Sequence, residues 1–334
     1  MVSLRPSSPS RSSRPSLRYR FVCFLIWALR HKQFYSQSGD AFWRAVRRRR
    51  PRHGSLPCRP RRLLMKLLGW KFETQLIDGM PVFVLTPRIW RKGVRAGTRS
   101  PRTVLYLHGG GNVMEAVSTH WNFLSELIWR TGARIVVPQY PLAPDFACFD
   151  ALRMILAVYE KLLESTPAEE ILLMGDSAGG SLTLSCGMLF RELGLPQPRR
   201  LIMISPSLQI SPPDPEDEEA KECDQRDVML SCGSFATILA GWRGELEETD
   251  WRLQPAWGDF QNLPPMTLFT GTADVLNRGA RLFRDRVQEA LRRNPGSVSL
   301  DYQEAPDRFH CWVLIPVPES KAERKEIWRL VREV

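Results

Sequence analysis

Between residues 101 and 334 the chain alternates short apolar runs with longer segments of helical period. The runs at 103–107, 134–138, 171–174, 201–204 and 266–270 are four or five residues long, the length and continuity of strands buried on both faces. Residues 298–302, Val-Ser-Leu-Asp-Tyr, alternate strictly and read as a strand with one wet face. Helical patterns at 151–164, 181–193, 278–291 and 319–334 follow these runs. Such alternation predicts an α/β fold, a mostly parallel central sheet with helices on both faces.

Two stretches break the rhythm. Residues 207–263 open on Pro212-Pro213-Asp214-Pro215 and four consecutive acids, then carry a helical stretch at 235–242. Residues 1–62 are rich in Arg and Ser, with one nine-residue apolar run from Phe21 to Leu29. That run is too short to span a bilayer, which takes about 20 apolar residues. It suits a signal-like segment, an interfacial anchor or an amphipathic transit segment. The chain thus divides into a basic extension, 1–62, serving as targeting segment, anchor or cap, and a domain, 63–334. At 334 residues and 43% hydrophobic content, the chain is long enough for one large core.

Charge sharpens this division. Residues 1–100 hold 23 Lys and Arg against 3 Asp and Glu, whereas residues 101–334 hold 24 against 33, so the net +11 belongs to the N-terminal part. Clusters at 47–52 and 59–62 suit an anionic membrane surface. Nucleic acid is not implied, because the basic stretch lacks interleaved aromatics and a docking motif. Membrane or endoplasmic reticulum association is the expectation, with the cytoplasm as alternative.

The candidate chemistry lies at the ends of the apolar runs. Gly175-Asp176-Ser177-Ala178-Gly179 follows one run and opens a helix, the pattern of a turn so tight that only small residues fit around the serine. Ser177 is the expected nucleophile. The run at 103–107 leads into His108-Gly109-Gly110-Gly111, whose near-bare backbone can point N–H groups at a developing oxyanion. Gly109, Gly110 and Ala178 are the expected donors, Ala178 at a helix N-terminus that favours negative charge. A serine hydroxyl needs a base and an acid to orient that base. Of five histidines only His310 lies beyond the serine, and Asp274 stands in the turn after the run at 266–270. Glu304 and Asp307 are rival acids too near His310 in sequence to come from a separate strand end, and His120 reads as a surface or helix residue.

These motifs, with Tyr140-Pro141-Leu142-Ala143-Pro144-Asp145 and Phe309-His310, resemble the hormone-sensitive-lipase-like branch of the α/β hydrolases over residues 65–330. The look is closest to fungal steryl acetyl hydrolase-type and secondary-metabolite esterases. The resemblance implies an α/β-hydrolase fold in which 207–263 is a lid insertion that joins N-terminal helices in a cap over the serine, with Trp242, Trp251 and Trp257 as apolar walls. It implies a serine carboxylesterase acting through Ser177, His310 and Asp274 on short-chain, acetyl-type esters of a hydrophobic alcohol such as a sterol or secondary metabolite. The chain departs from the family pattern at Asn112, where an aromatic is usual, and at Asp145, where glutamate is usual. Asn112 can cap the next turn or hold a substrate oxygen.

An acyltransferase or amidase would use the same triad, and a silent ligand-binding member would keep only the pocket. No cofactor and no metal are implied, for the seven cysteines follow no zinc spacing and no phosphate-cradling loop is present. Cys223 and Cys232 can pair across the lid in an oxidising compartment. Cys311, beside His310, lacks the tight turn that Ser177 has. The sequence leaves the oligomeric state open.

Overall fold

The computed structural model describes residues 2–6, 15–50, 70–87, 102–210 and 217–333. The basic cluster at 59–62 lies outside them. In chain order the elements begin with β1 (Val2–Pro6), α1 (Leu17–Ala28), α2 (His31–Tyr35), α3 (Gly39–Arg49), β2 (Trp70–Ile77), β3 (Met80–Pro87) and β4 (Thr103–Leu107). Next come α4 (Ser118–Thr131), β5 (Arg134–Pro138), α5 (Cys148–Leu163), β6 (Ile171–Asp176), α6 (Ala178–Glu192) and β7 (Arg200–Ile204). The chain closes with α7 (Glu218–Arg226), α8 (Phe235–Trp242), β8 (Met266–Gly271), α9 (Asn277–Arg293), β9 (Leu300–Ala305) and α10 (Lys321–Arg332).

The strands form one nine-stranded sheet in the order β1-β9-β8-β7-β6-β4-β5-β3-β2. Pairing is parallel except where β3 meets β2 and β5. The β2–β3 hairpin lies outside the run of apolar segments that the sequence pattern marks; Asp78-Gly79 forms its turn, both residues at positive φ (49° and 75°) as a type I′ turn requires.

Period-two alternation sends successive residues of β4 to opposite cores. Leu105 and Leu107 pack with Leu152 of α5, Leu182 of α6 and Phe283 of α9, while Val104 and Tyr106 pack with Phe123 of α4 and Ile327 of α10. Buried side chains of this size each stabilise by roughly 1.5–3 kcal/mol. The ring of Tyr159 on α5 stacks on Phe190 of α6 at 4.1 Å, fixing the two crossover helices against each other.

A helical cap covers the C-terminal edge of the sheet. Phe34 and Tyr35 of α2, Phe42 and Val46 of α3, and Phe235, Ile238, Leu239 and Trp242 of α8 join one hydrophobic cluster. Arg50 ties the end of α3 to the loop after β4, donating through Nε to Val113 O at 2.8 Å and pairing with Asp145 at 2.6 Å. Cys223 and Cys232 are free thiols and do not pair across the insertion.

Candidate active site

Ser177 sits between β6 and α6 at φ 53°, ψ −123°, a conformation rarely adopted by L-residues and held in place only when the surroundings demand it. They do so here. Its N–H donates to Ile204 O at 2.9 Å, and its carbonyl accepts from Ser181 and Ser207 at 3.1 and 3.0 Å. A Cβ on Gly175 would lie 2.2 Å from Gly179 O, and one on Gly179 would lie 2.0 Å from Leu107 O. The spacing of glycines around the serine is thus a packing requirement, set for Gly175 by the turn itself and for Gly179 by the backbone of β4.

The fold brings Ser177, His310 and Asp274 together from three strand ends. His310 Nε2 lies 3.0 Å from Ser177 Oγ, and Nδ1 lies 3.1 and 3.0 Å from the two carboxylate oxygens of Asp274. The Asp274 carboxylate also accepts from Leu276 N at 2.9 Å, and the Cys311 N–H donates to Ser205 Oγ at 3.0 Å, so both loops are anchored. Burial alone would lower the His310 pKa; the Asp274 carboxylate, followed by Asp227 and Asp176, outweighs it and leaves the imidazole more basic than usual. An imidazole so placed can take a proton from Ser177 Oγ and return it to a leaving group.

One expected oxyanion donor is displaced. The N–H of Gly109 donates to Asp176 Oδ1 at 3.0 Å and is unavailable to a substrate. Asp176, second residue of the serine turn, also accepts from Tyr106 OH at 2.6 Å and pairs with His120 Nε2 at 3.2 Å. Burial pushes this carboxyl up, but His120, Tyr106 and Gly109 together hold it below the usual range. Asp176 is therefore a buried strut that fixes the glycine loop against the serine turn, and His120 is buried within it rather than on the surface. Gly110 and Gly111 face the cavity in place of Gly109, together with Ala178. In the first turn of α6 the Ala178 N–H has no carbonyl of its own helix to meet.

His108 is not a rival base. Burial lowers its pKa to about 4, and its ring stacks on Tyr140 at 4.5 Å. The Cys311 thiol lies 3.3 Å from His310 Nε2, yet burial and then the Asp176 and Asp274 carboxylates push its pKa well up, so it stays a protonated, weak nucleophile.

Asp227 carried no signal in the sequence, because the partner that gives it a role, Val275 N, lies 48 residues away. It is buried, accepts from Met229 N and Leu230 N at 2.8 and 3.2 Å through Oδ1, and accepts from Val275 N at 3.0 Å through Oδ2. Burial and the neighbouring Asp274 raise its pKa to about 6. One carboxylate thus stitches the cap segment to the loop that carries Asp274.

A cavity of about 530 Å³ opens over Ser177, within the range of small-molecule sites. Its walls are mainly aliphatic and aromatic: Ile26, Phe34 and Tyr35 from the N-terminal helices, Met229, Leu230, Phe235 and Ile238 from the insertion, and Leu314 from beyond β9. The expected tryptophan walls are elsewhere. Trp242 is buried in the cluster beneath the cap, Trp251 packs half-buried against the same cluster, and Trp257 lies under Arg286, whose guanidinium carbon is 4.8 Å from the ring centroid. Asn112 lines the cavity at φ 58° with its Oδ1 buried and without a partner, so it does not cap the following turn. Among the described residues no group of His, Cys, Asp and Glu is arranged to hold a metal.

A mostly parallel sheet presenting a serine, an imidazole and a carboxylate at its C-terminal edge, under a helical cap with an apolar cavity, defines a carboxylic ester hydrolase of α/β-hydrolase fold. A family model described as alpha/beta hydrolase fold matches residues 104–314, and the chain belongs to that family. It is 28% identical over 220 residues to an acetyl-hydrolase of Streptomyces hygroscopicus, covering 66% of this chain and 71% of that protein. It is 31% identical over 128 residues to the versiconal hemiacetal acetate esterase of Emericella nidulans, covering 38% of this chain and 42% of that protein. The crystal structure of an esterase from the bacterial hormone-sensitive lipase family, 24% identical, superposes with a TM-score of 0.74 over 96% of this chain and 99% of that one.

Proposed function

We propose that the protein hydrolyses short-chain, acetyl-type esters of a hydrophobic alcohol, a sterol-like or secondary-metabolite alcohol, through an acyl-enzyme on Ser177. The observation that carries this reading is the position of Ser177 Oγ, 3.0 Å from His310 Nε2 at the floor of an apolar cavity of about 530 Å³. Ser177 Oγ attacks the ester carbonyl as His310 Nε2 takes its proton. The N–H groups of Gly110, Gly111 and Ala178 receive the oxyanion. Collapse of the tetrahedral intermediate expels the alcohol with that proton, leaving the acyl group on Ser177. Water then loses a proton to His310 and attacks the acyl carbon, releasing the acid and restoring the serine. The names of the acetyl-hydrolase and acetate esterase relatives support the acyl group, and the apolar walls support the alcohol. Peripheral association with a membrane belongs to the same reading, supported by the basic N-terminal part. Among the described residues no helix is long and apolar enough to cross one.

Hydrolysis of p-nitrophenyl esters from acetate to palmitate tests the acyl assignment. Acetate to butyrate are expected to be the best substrates, with kcat/KM lower by roughly tenfold or more at palmitate. A folded protein that hydrolyses none of them would point to an acceptor other than water.

Asp227 yields a second expectation, in the pH dependence. A base works neutral, so kcat/KM falls as pH drops through the His310 pKa, at a midpoint above the ordinary value of about 6.5 because that pKa is raised. Around Asp227 stand the Asp274 carboxylate, the His310 ring, the Cys223 thiol against Asp274 O, and Lys32, whose ammonium meets the Asp227 carbonyl. Above about pH 6 the ionised Asp227 helps keep His310 protonated. Asp227→Asn should therefore move the acidic midpoint of kcat/KM downward and lower the plateau by roughly tenfold through loss of the bond to Val275 N. An unmoved midpoint would remove Asp227 from the electrostatics of the site.

A further inference from the structure

The outer face of α1 is built to lie on a lipid surface. Tyr19, Val22, Cys23 and Ile26 face the body of the protein, where Tyr19 is buried and the other three pack against its cluster. The opposite face is apolar and bare: Leu17 is 81% exposed, Phe21 59%, Phe24 56% and Trp27 68%. A surface helix normally turns polar residues outward, and a helix apolar all round is found in a core or in lipid. At helical spacing Arg18 and Arg20 flank the stripe of Leu17, Phe21 and Phe24 on either side. An outward apolar stripe with a cation at each edge can sit at the headgroup boundary, its arginines reaching the anionic headgroups.

This helix is no loose tail. Ser16 caps it, its Oγ accepting from Tyr19 N at 3.1 Å while its own N–H donates to Glu319 Oε1 at 2.6 Å. Tyr19 OH donates to Asp307 O at 3.1 Å and accepts from Phe309 N at 3.2 Å, one residue before His310. The apolar face is held outward by contacts that reach the site.

Two further observations select the partner. Residues 15–50 carry nine Lys and Arg and one acid, so the covering surface is anionic. Leu29, 74% exposed just beyond α1, and Arg49, exposed at the end of α3, both line the cavity over Ser177, so the cavity reaches the surface next to the C-terminal end of α1. We propose that α1 docks the protein on an anionic phospholipid membrane, its apolar face in the headgroup boundary, and that ester substrates dissolved in the bilayer enter the cavity at Leu29 and Arg49. Docking deepens the peripheral association proposed above; delivery of the substrate rests in addition on the esterase reading.

The test uses the full chain and Phe21→Glu/Trp27→Glu, neither residue lining the cavity. The wild type should sediment with vesicles of phosphatidylcholine and phosphatidylserine, and much less with phosphatidylcholine alone. Each substitution should weaken partitioning about tenfold or more. The double variant should keep the wild-type rate on dissolved p-nitrophenyl acetate while losing most hydrolysis of a vesicle-dissolved acetate ester of a long-chain alcohol. Equal sedimentation of the two proteins would overturn the proposal, since arginines alone would then hold the surface. So would failure of the wild type to bind anionic vesicles, or light scattering that shows a wild-type dimer dissociated by the double substitution, with a second copy covering α1. If the wild type binds vesicles but hydrolyses neither ester, the esterase reading fails while docking stands.

Discussion

Ser177→Ala is expected to lower kcat on p-nitrophenyl acetate by about a million-fold, the scale on which removal of a serine nucleophile acts when base and acid remain. The remaining His310 can still activate water, but no acyl-enzyme forms. The fold should not share the loss. Ser177 is held at φ 53°, ψ −123° by backbone bonds to Ile204, Ser181 and Ser207, none of which uses the hydroxyl. Thermal unfolding of Ser177→Ala should therefore match the wild type closely. Ser177→Gly, equally inactive, should be more stable by about 1 kcal/mol, because glycine adopts this conformation without strain. A residual rate within tenfold of wild type in either variant would remove Ser177 from the chemistry.

The sequence made this turn legible because its constraints fall on the residues flanking the serine. Gly175 must be bare to clear Gly179 O four residues on, and Gly179 must be bare to clear Leu107 O of the neighbouring strand, so a five-residue pattern records both backbone contacts. That Ser177, Asp274 and His310 meet was legible for another reason: a parallel sheet brings the C-terminal ends of its strands to one edge, whatever their separation in sequence. What remained hidden depended on side chains meeting across long separations. Nothing local distinguishes Gly109 from Gly111; the choice is made by Asp176, 67 residues from Gly109, which takes the Gly109 N–H. Asp227 sits in an acid-rich stretch that reads as solvated, and its meaning comes from Val275, 48 residues away. The tryptophans of the insertion drew attention by size, yet the cavity is walled by residues that project from α2, α8 and the segment between α7 and α8. Size predicts burial; only packing decides in which layer.

Asp274→Asn should lower kcat by about ten-thousand-fold while leaving the protein folded and KM little changed. Leu276 N donates to Asp274 Oδ1, and this bond would keep the oxygen of an asparagine amide on that side, with the NH₂ beside His310 Nδ1. The imidazole would then accept at Nδ1 and carry its proton on Nε2, facing Ser177 Oγ with a donor where an acceptor is required. No other acid is free to replace Asp274. Glu304 is pushed up by burial but held at about 2 by Arg281, Tyr302 and Asn277, and Asp307 pairs with Arg226. Asp227 is pinned by three backbone N–H groups that keep it from turning toward the ring. In the proposed relay serine, histidine and aspartate act as one unit, so Ser177→Ala/Asp274→Asn should be no slower than Ser177→Ala alone. A double variant slower by a further thousand-fold or more would mean that Asp274 contributes through a route that bypasses the serine, and the proposed relay would have to be abandoned.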